Sequence, residues 1–354
     1  MRAGRRVAVG VLAAVVVLAG LQGEALANDQ AAGRVPGSIS KERIELFIAL
    51  LKRRALKALE AHRAPPPPFL TASSGIAQGY ESNVNLDGSR RGDFFTQETA
   101  GVTLNPRLTS WLSGAFTYDL LHTHYVELRD ANLLMNTLGG AIQLQPHSRV
   151  RVDLAYEYSL VDFPFNTADS FLDRRTGVEV LSALTHWLTH QAGWTYQLRD
   201  YDTRKARDGA GNDLPGTDRE DERHIVSQEL RARFPKTSAR IGGQYYRNVS
   251  NDLFQDFYDW EDYQVRGVVS QVLSPKWVGI VVASSERRNY QQRSVPAINV
   301  GERDTLTTLA GSLIYLINDH AQLTYSLTYR HQDSNDPRLD FIDWINQLRV
   351  SLDL

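Results

Sequence analysis

Charged side chains stand at every second position in several segments of this 354-residue chain. Between residues 150 and 160, for example, Arg151, Asp153 and Glu157 alternate with valine, leucine and tyrosine. A surface that carries guanidinium and carboxylate groups can conduct polar solutes, bind an anionic solute or tie itself together through cross-strand ion pairs. The charged residues that we assign to this surface are Asp119, Arg151, Asp153, Glu157, Arg199, Glu229, Arg231, Arg233, Arg240, Arg266, Arg287, Arg330 and Arg349.

Other residues have side chains that could support catalysis or hold a metal. His122 and His124 are two positions apart and lie near Asp119, and the segment 208–218 is rich in Asp and Asn but lacks the closing Glu of a calcium loop. We interpret the histidines as solvated residues and the segment as a flexible acidic loop. The chain has no cysteine, which excludes thiol catalysis. We therefore predict no enzymatic activity, metal or cofactor, and the net charge of −2 argues against a nucleic-acid partner.

The elements that must position the charged residues are long strands. Apolar and polar residues alternate from Phe69 to Leu354, and this period of two predicts β-structure. Several runs cover ten residues or more, beyond the ~5–6 of ordinary strands and close to the ~9–11 that cross a bilayer at a tilt. A soluble β-sandwich or a β-helix is the alternative, because their strands also alternate.

The connections between these strands alternate in length. Short turns separated by longer polar loops are typical of membrane barrels, in which the short turns face the periplasm. Their number predicts about fourteen strands, with both termini in the periplasm. The short turns are 105–109, 145–148, 184–187, 234–237, 273–276 and 318–320, and the longer loops lie near 84–92, 122–131, 162–170, 201–222, 248–258, 290–303 and 332–341.

Aromatic residues predict two belts at the membrane surfaces. Trp111, Trp187 and Trp277 follow short turns. A second group adjoins the long loops: Tyr125, Phe163, Tyr201, Tyr258, Trp260, Tyr290 and Trp344. The alternating leucine and valine residues of 348–354 resemble the C-terminal signal that the barrel insertion machinery recognises. Outer-membrane lipid and this machinery are therefore predicted partners.

The N-terminal residues predict export from the cytoplasm. Arg2, Arg5 and Arg6 precede an uncharged apolar run at 7–21, and Ala25-Leu26-Ala27 offers a small-x-small cleavage site. This order is typical of a secretory signal peptide, here residues 1–27. An uncleaved anchor is the alternative, although the run is shorter than the ~20 residues of a spanning helix. The predicted location is the outer membrane.

A periplasmic segment, 28–68, precedes the strands. Within it, residues 41–63 show helical spacing of apolar residues, with Ile44, Phe47, Ile48 and Leu51 on one face. Seven basic and three acidic residues give this segment a local charge of +4. Prolines 65–68 end the predicted helix and form a stiff spacer. We expect the helix to act as a gate or docking arm at the barrel mouth or on a partner.

The predicted fold class is therefore all-β: a transmembrane antiparallel β-barrel of about fourteen strands over residues 69–354, preceded by one short periplasmic amphipathic helix. A short motif at the start of the barrel contains Gly79, Tyr80, Ser82, Asn83 and Asn85. This motif resembles the opening of the barrel domain in surface lipoprotein assembly modifier proteins, and it also resembles several β-barrel porin families. The resemblance implies a fourteen-stranded barrel that helps lipoproteins reach the cell surface.

Three classes of function remain open at this point. The leading hypothesis is export or transport across the outer membrane, with an exported lipoprotein or a periplasmic protein as partner. The first alternative is a general or selective porin for small polar solutes or polysaccharide. The second alternative is a structural or adhesive surface barrel.

Overall fold

The computed structural model describes residues 69–254, 258–295 and 300–353. These residues form fourteen strands, which confirms the predicted number, and three single 3-10 turns lie in the loops. The strands are β1 (Leu70–Glu81), β2 (Asp93–Leu104), β3 (Leu112–Tyr125), β4 (Leu133–His147), β5 (Val150–Asp162), β6 (Phe171–Ala183), β7 (Leu188–Arg207), β8 (Asp213–Arg233), β9 (Thr237–Ser250), β10 (Trp260–Ser274), β11 (Trp277–Val295), β12 (Val300–Leu316), β13 (Ala321–Ser334) and β14 (Phe341–Asp353).

The strands close into one antiparallel barrel in which each strand pairs with its neighbours in sequence. The first and last strands complete the circle, with Ser73 opposite Asp353 and Glu81 opposite Ile345. Closure matters because an open sheet edge would leave backbone groups unsatisfied in lipid. We call the β1–β14 pairing the seam.

The two ends of the barrel differ as predicted: the structure has all six short turns at one end and five of the seven longer loops at the other. All six short turns are confirmed, and they define what we call the short-turn end. At the opposite, long-loop end, two predicted loops are wrong. Residues 201–222 and 290–303 are mostly strand. β7 continues to Arg207 and β8 begins at Asp213, while β11 continues to Val295 and β12 begins at Val300.

The outer face of the barrel is apolar. Leu154, Leu327, Leu348 and Val350 are each between 41% and 51% exposed and point away from the lumen. This is the surface of an outer-membrane β-barrel, whose lipid-facing side is apolar while its interior is polar. Among the described residues, no helix has the length and apolar character needed to span a membrane.

The predicted aromatic belt at the long-loop end is wrong for six of its seven members. Only Trp344 is exposed on the outer face, at 47%. The other six are at most 9% exposed: Tyr125, Phe163, Tyr201, Tyr258, Trp260 and Tyr290. Outward aromatic residues near this end include Phe94 and Tyr263, which are 65% and 51% exposed. Adjacency to a loop thus does not decide the face on which a ring lies.

The signal peptide 1–27, the helix 41–63 and the prolines 65–68 lie outside the described residues. They remain predictions from the sequence.

Gly79 shows how tightly the seam is packed. A Cβ atom at this position would lie 2.4 Å from the Asn346 carbonyl oxygen and 2.6 Å from the Phe95 ring. We expect Gly79→Ala to lower the free energy of unfolding by about 1–3 kcal/mol, the usual cost of overpacking. Urea unfolding of the purified barrel in detergent micelles would measure the change. Gly311→Ala is the matched control, because a Cβ there meets no atom within 4 Å. Equal effects of the two variants would contradict the prediction.

Candidate functional site in the lumen

Twelve of the thirteen charged residues predicted to line the lumen lie on the inner face of the strands. The exception is Arg287, and the prediction for it is wrong. Arg287 is exposed on the outer face opposite Tyr263, while the next residue, Arg288, is 3% exposed and points inward. The twelve that face inward are Asp119, Arg151, Asp153, Glu157, Arg199, Glu229, Arg231, Arg233, Arg240, Arg266, Arg330 and Arg349.

An ion-pair network ties the seam together at the long-loop end. Arg330 of β13 donates to Glu81 of β1 at 2.5 Å and, through Nε, to Asp343 of β14 at 2.8 Å. The Tyr125 hydroxyl also donates to Glu81. The side chains of Arg330, Glu81 and Asp343 are almost completely buried. Each charge therefore depends on its partners, since solvent cannot replace them.

The motif that carries the family resemblance is part of this network. The Asn83 amide and the Ser82 hydroxyl donate to Asp343 at 2.9 and 3.1 Å. The Asn83 side-chain amide closes the following turn by donating to the Asp87 carbonyl at 2.7 Å. Tyr80 points outward and packs on Phe94, with ring centroids 5.0 Å apart. Gly79 provides the space that the seam needs, and Asn85 lies in the loop after β1.

Two similar networks lie on β5 to β8. Asp173 accepts from Arg175 at 3.1 Å and from Arg199 at 3.2 Å. Arg175 also reaches Glu157 at 3.3 Å. In the second network, Asp221 lies between two arginines of its own strand: Arg219, at 2.6 Å, and Arg223, at 3.7 Å.

A fourth network joins β10 and β11. Arg288 contacts Asp262 at 3.3 Å and Glu286 at 3.1 Å. The four networks bring together residues that the sequence prediction had identified, such as Arg199 and Arg330, and residues that it had missed. The missed residues are Glu81, Asp173, Arg175, Arg219, Asp221, Arg223, Asp262, Glu286, Arg288 and Asp343.

The six aromatic residues that were wrongly predicted to form an outer belt lie inside the barrel. Several of them lie under guanidinium groups, in the arrangement of a cation–π contact. Among the described residues, Arg219 lies over Tyr258 at 3.2 Å and Arg288 lies over Trp260 at 4.2 Å. A further inward ring, Phe171, lies under Arg199 at 3.7 Å. The rings therefore hold the arginines of the networks in place.

The inner face nearer the short-turn end carries an excess of positive charge. Glu229 accepts from Arg231 at 2.5 Å and from Arg266 at 3.2 Å. Arg240 adds to the electrostatic potential at the same carboxylate. Three guanidinium groups thus surround one carboxylate.

Arg233, the last residue of β8, extends this positive region. It lies beside Arg231 and Arg151, and its Nε is buried without a hydrogen-bond partner in the described part of the chain. Arg151 is paired with Asp153 at 2.9 Å, and Glu179 is also near Asp153. We call this region the arginine wall: five arginines and three carboxylates, namely Arg151, Arg231, Arg233, Arg240, Arg266, Asp153, Glu179 and Glu229.

The other two predicted lumen residues lie on the opposite side of the barrel. Arg349 of β14 donates to Gln97 and, more weakly, to Thr99 at 3.4 Å. Asp119 of β3 lines a cavity in the lumen that it shares with Glu157 and Arg349.

The residues considered for catalysis or metal binding are not brought together. His122 and His124 lie on the outer face of β3, and Asp119 lies on its inner face. Asp208 accepts from the Asn212 amide within a tight turn, and this hydrogen bond holds the pKa of Asp208 below its ordinary value. Within residues 69–254, 258–295 and 300–353, no group of three histidine or acidic side chains could hold a metal ion.

Comparisons with known proteins identify no family. No family model and no curated protein matches the chain. Among solved structures, an anion-selective porin from Comamonas acidovorans is 10% identical with a TM-score of 0.48, and the alignment covers 80% of this chain and 98% of the porin. The outer membrane protein OmpT of Vibrio cholerae is 7% identical with a TM-score of 0.47, covering 82% and 100%. Similarities at this level carry no inference about function.

Proposed function

We propose that the chain is an outer-membrane channel that passes small polar solutes and prefers anions. The observation that carries this proposal is the arginine wall, in which guanidinium groups outnumber carboxylates and Arg233 has no acidic partner among the described residues. By the general rule for such barrels, the short-turn end faces the periplasm and the long-loop end faces the exterior.

The chemistry of the wall suits anionic solutes. A guanidinium group offers several N–H donors in one plane, which match the oxygen atoms of a carboxylate or phosphate. These donors replace part of the water that a solute loses on entering a narrow lumen. At the long-loop end, by contrast, buried ion pairs satisfy one another, so that this half supplies rigidity rather than a net charge.

Reversing one charge of the wall tests the proposal. We expect Arg233→Glu to reduce the anion-to-cation permeability ratio by roughly tenfold, because moving from +1 to −1 about 5 Å from a hydrated ion costs about 1–2 kcal/mol. The reversal potential across a planar bilayer under a salt gradient measures this ratio.

Arg287→Glu is the matched control, since it makes the same charge change on the outer face of β11. It should leave the reversal potential unchanged. Equal shifts in the two variants, or no current from the parent protein, would contradict the proposed channel.

A role in lipoprotein export is a second candidate. In its favour is the strand count of fourteen, which is the number implied by the resemblance to surface lipoprotein assembly modifiers. The buried seam network gives the resembling motif a structural role, which is compatible with either function. Silent bilayers, together with loss of a lipoprotein from the cell surface on deletion of the gene, would favour export over passive transport.

A further inference from the structure

An apolar patch interrupts the polar inner face of the barrel. It occupies β10 to β12, from the middle of the barrel to the short-turn end. Its members are between 1% and 6% exposed, and the partly buried Leu316 packs against them. We call it the lumen patch: Val268, Val278, Ile280, Val282, Ala310 and Ile314.

This degree of burial is unusual for side chains that point into a wide lumen. Neighbours on the same wall shield such a side chain laterally, but its tip is shielded only by something inside the lumen. A fourteen-stranded barrel is wider than the eight-stranded barrels whose side chains fill the interior. The burial of this contiguous patch therefore requires an element inside the lumen that covers it.

We propose that residues 41–63 of the same chain bind to the lumen patch. Their sequence predicts an amphipathic helix whose apolar face contains Ile44, Phe47, Ile48 and Leu51. An isolated helix of this length is marginal in water and needs a surface to cover its apolar face. The helix needs a surface that covers its apolar face, and the lumen patch needs a segment that covers its apolar side chains.

The connection between the two is long enough. β1 is separated from β12 by β14 and β13, which is about 14 Å at the usual strand spacing of ~4.8 Å. Residues 64–68 are almost all proline and span about 15 Å at ~3.1 Å per residue. Residue 63 can therefore reach the patch from the short-turn end of β1, where the described chain begins.

The charges on the side of the lumen away from the arginine wall also fit. The cavity there is lined by Ile280 and Ile314, by the carboxylates of Glu81, Asp119, Glu157 and Asp353, and by one arginine, Arg349. A helix that places its apolar face on the patch turns the rest of the segment, whose net charge is +4, toward these carboxylates. The apolar face of the segment and its charged residues would thus both contact complementary residues in one cavity.

Binding of the segment to the lumen patch does not depend on the proposed channel function. The experiment therefore measures binding directly, so that failure of one proposal is distinguishable from failure of the other.

Cysteine crosslinking in the full chain tests the contact, and the absence of native cysteines makes it specific. We expect Phe47→Cys to form an intramolecular disulfide with Ile314→Cys on mild oxidation, seen as faster migration without reduction. Phe47→Cys combined with Ala155→Cys is the control, because Ala155 is exposed on the opposite wall. No crosslink, equal crosslinking of both pairs, or a disulfide-linked dimer would overturn the proposal.

Labelling of Ile314→Cys by a maleimide provides an independent readout. In a chain that also carries Phe47→Asp and Ile48→Asp, we expect labelling to be about tenfold faster, because access then no longer requires an opening worth about 1.4 kcal/mol. Both substitutions lie outside the strands, and the heat-dependent gel shift of the barrel reports whether it is still folded. Equal labelling rates in folded protein would overturn the proposal.

Discussion

Replacing Arg330 by methionine is expected to lower the free energy of unfolding by about 3–5 kcal/mol. The substitution leaves Glu81 and Asp343 buried beside each other with no cation between them. In wild type, Arg330 connects β1, β13 and β14, so its loss weakens the two pairings that complete the circle. Equilibrium unfolding by urea in detergent micelles or lipid vesicles measures the effect.

Lys205→Met is the control for this experiment. Lys205 also contacts a carboxylate, that of Asp218 at 2.5 Å, but the two side chains are 40% and 45% exposed. Exposed pairs contribute about 0–1 kcal/mol, so this variant should unfold close to wild type. A loss at Arg330 no larger than at Lys205 would show that the seam does not depend on its ion pairs.

Trp260→Ala is expected to have an effect of similar size, about 3–5 kcal/mol, which is typical of removing a large buried aromatic side chain. Trp260 is 5% exposed, and the guanidinium groups of Arg288 and Arg223 lie 4.2 and 5.3 Å from its ring. The variant therefore loses packing and two cation–π contacts, and it leaves two arginines without their support.

Trp344→Ala removes the same side chain from the outer face, where Trp344 is 47% exposed. We expect a smaller loss of unfolding free energy there. Tryptophan fluorescence, followed through a urea titration in each single variant, gives both values. Equal losses would mean that Trp260 contributes no more to the free energy of unfolding than the outward-facing Trp344 does.

Most of the barrel could be predicted because only the outer face of each membrane-spanning strand contacts lipid. Wherever a strand crosses the membrane, its outer residues are apolar and its inner residues polar, and this fixes the face of every residue in the strand. Arg151, Asp153 and Glu157 were assigned to the correct face for this reason. In β11 the rule failed, because Val278, Ile280 and Val282 on the inner face are apolar too. Without alternation, Arg287 and Arg288 could not be distinguished.

The same physical limit explains the errors at the long-loop end. Beyond the lipid, both faces of a strand are in contact with water or protein, so apolar and polar residues no longer alternate. Residues 217–222 are polar on both faces, and the segment was therefore interpreted as a loop although β8 begins at Asp213. The buried rings of Tyr125 and Tyr290 were likewise assigned by their distance from a loop, whereas their position in the alternation decides their face.

The alternation of residues in the sequence could not predict which charged side chains pair with each other. Glu81 and Arg330 are 249 positions apart, and only the closure of the barrel brings them together. The alternation of a strand tells which residues point inward, but not which residues of other strands lie at the same height. That depends on register, which the turns and the seam establish together.

The seam network has a consequence for the assembly of the barrel. Its carboxylates come from β1 and β14, and its arginine comes from β13, so the three charged groups come together only when the last strand of the chain is in place. A chain that ends after β13 would hold Glu81 and Arg330 without Asp343, and Ser82 and Asn83 would lose their acceptor. We therefore expect a chain without β14 to form a barrel that is less stable than the complete one.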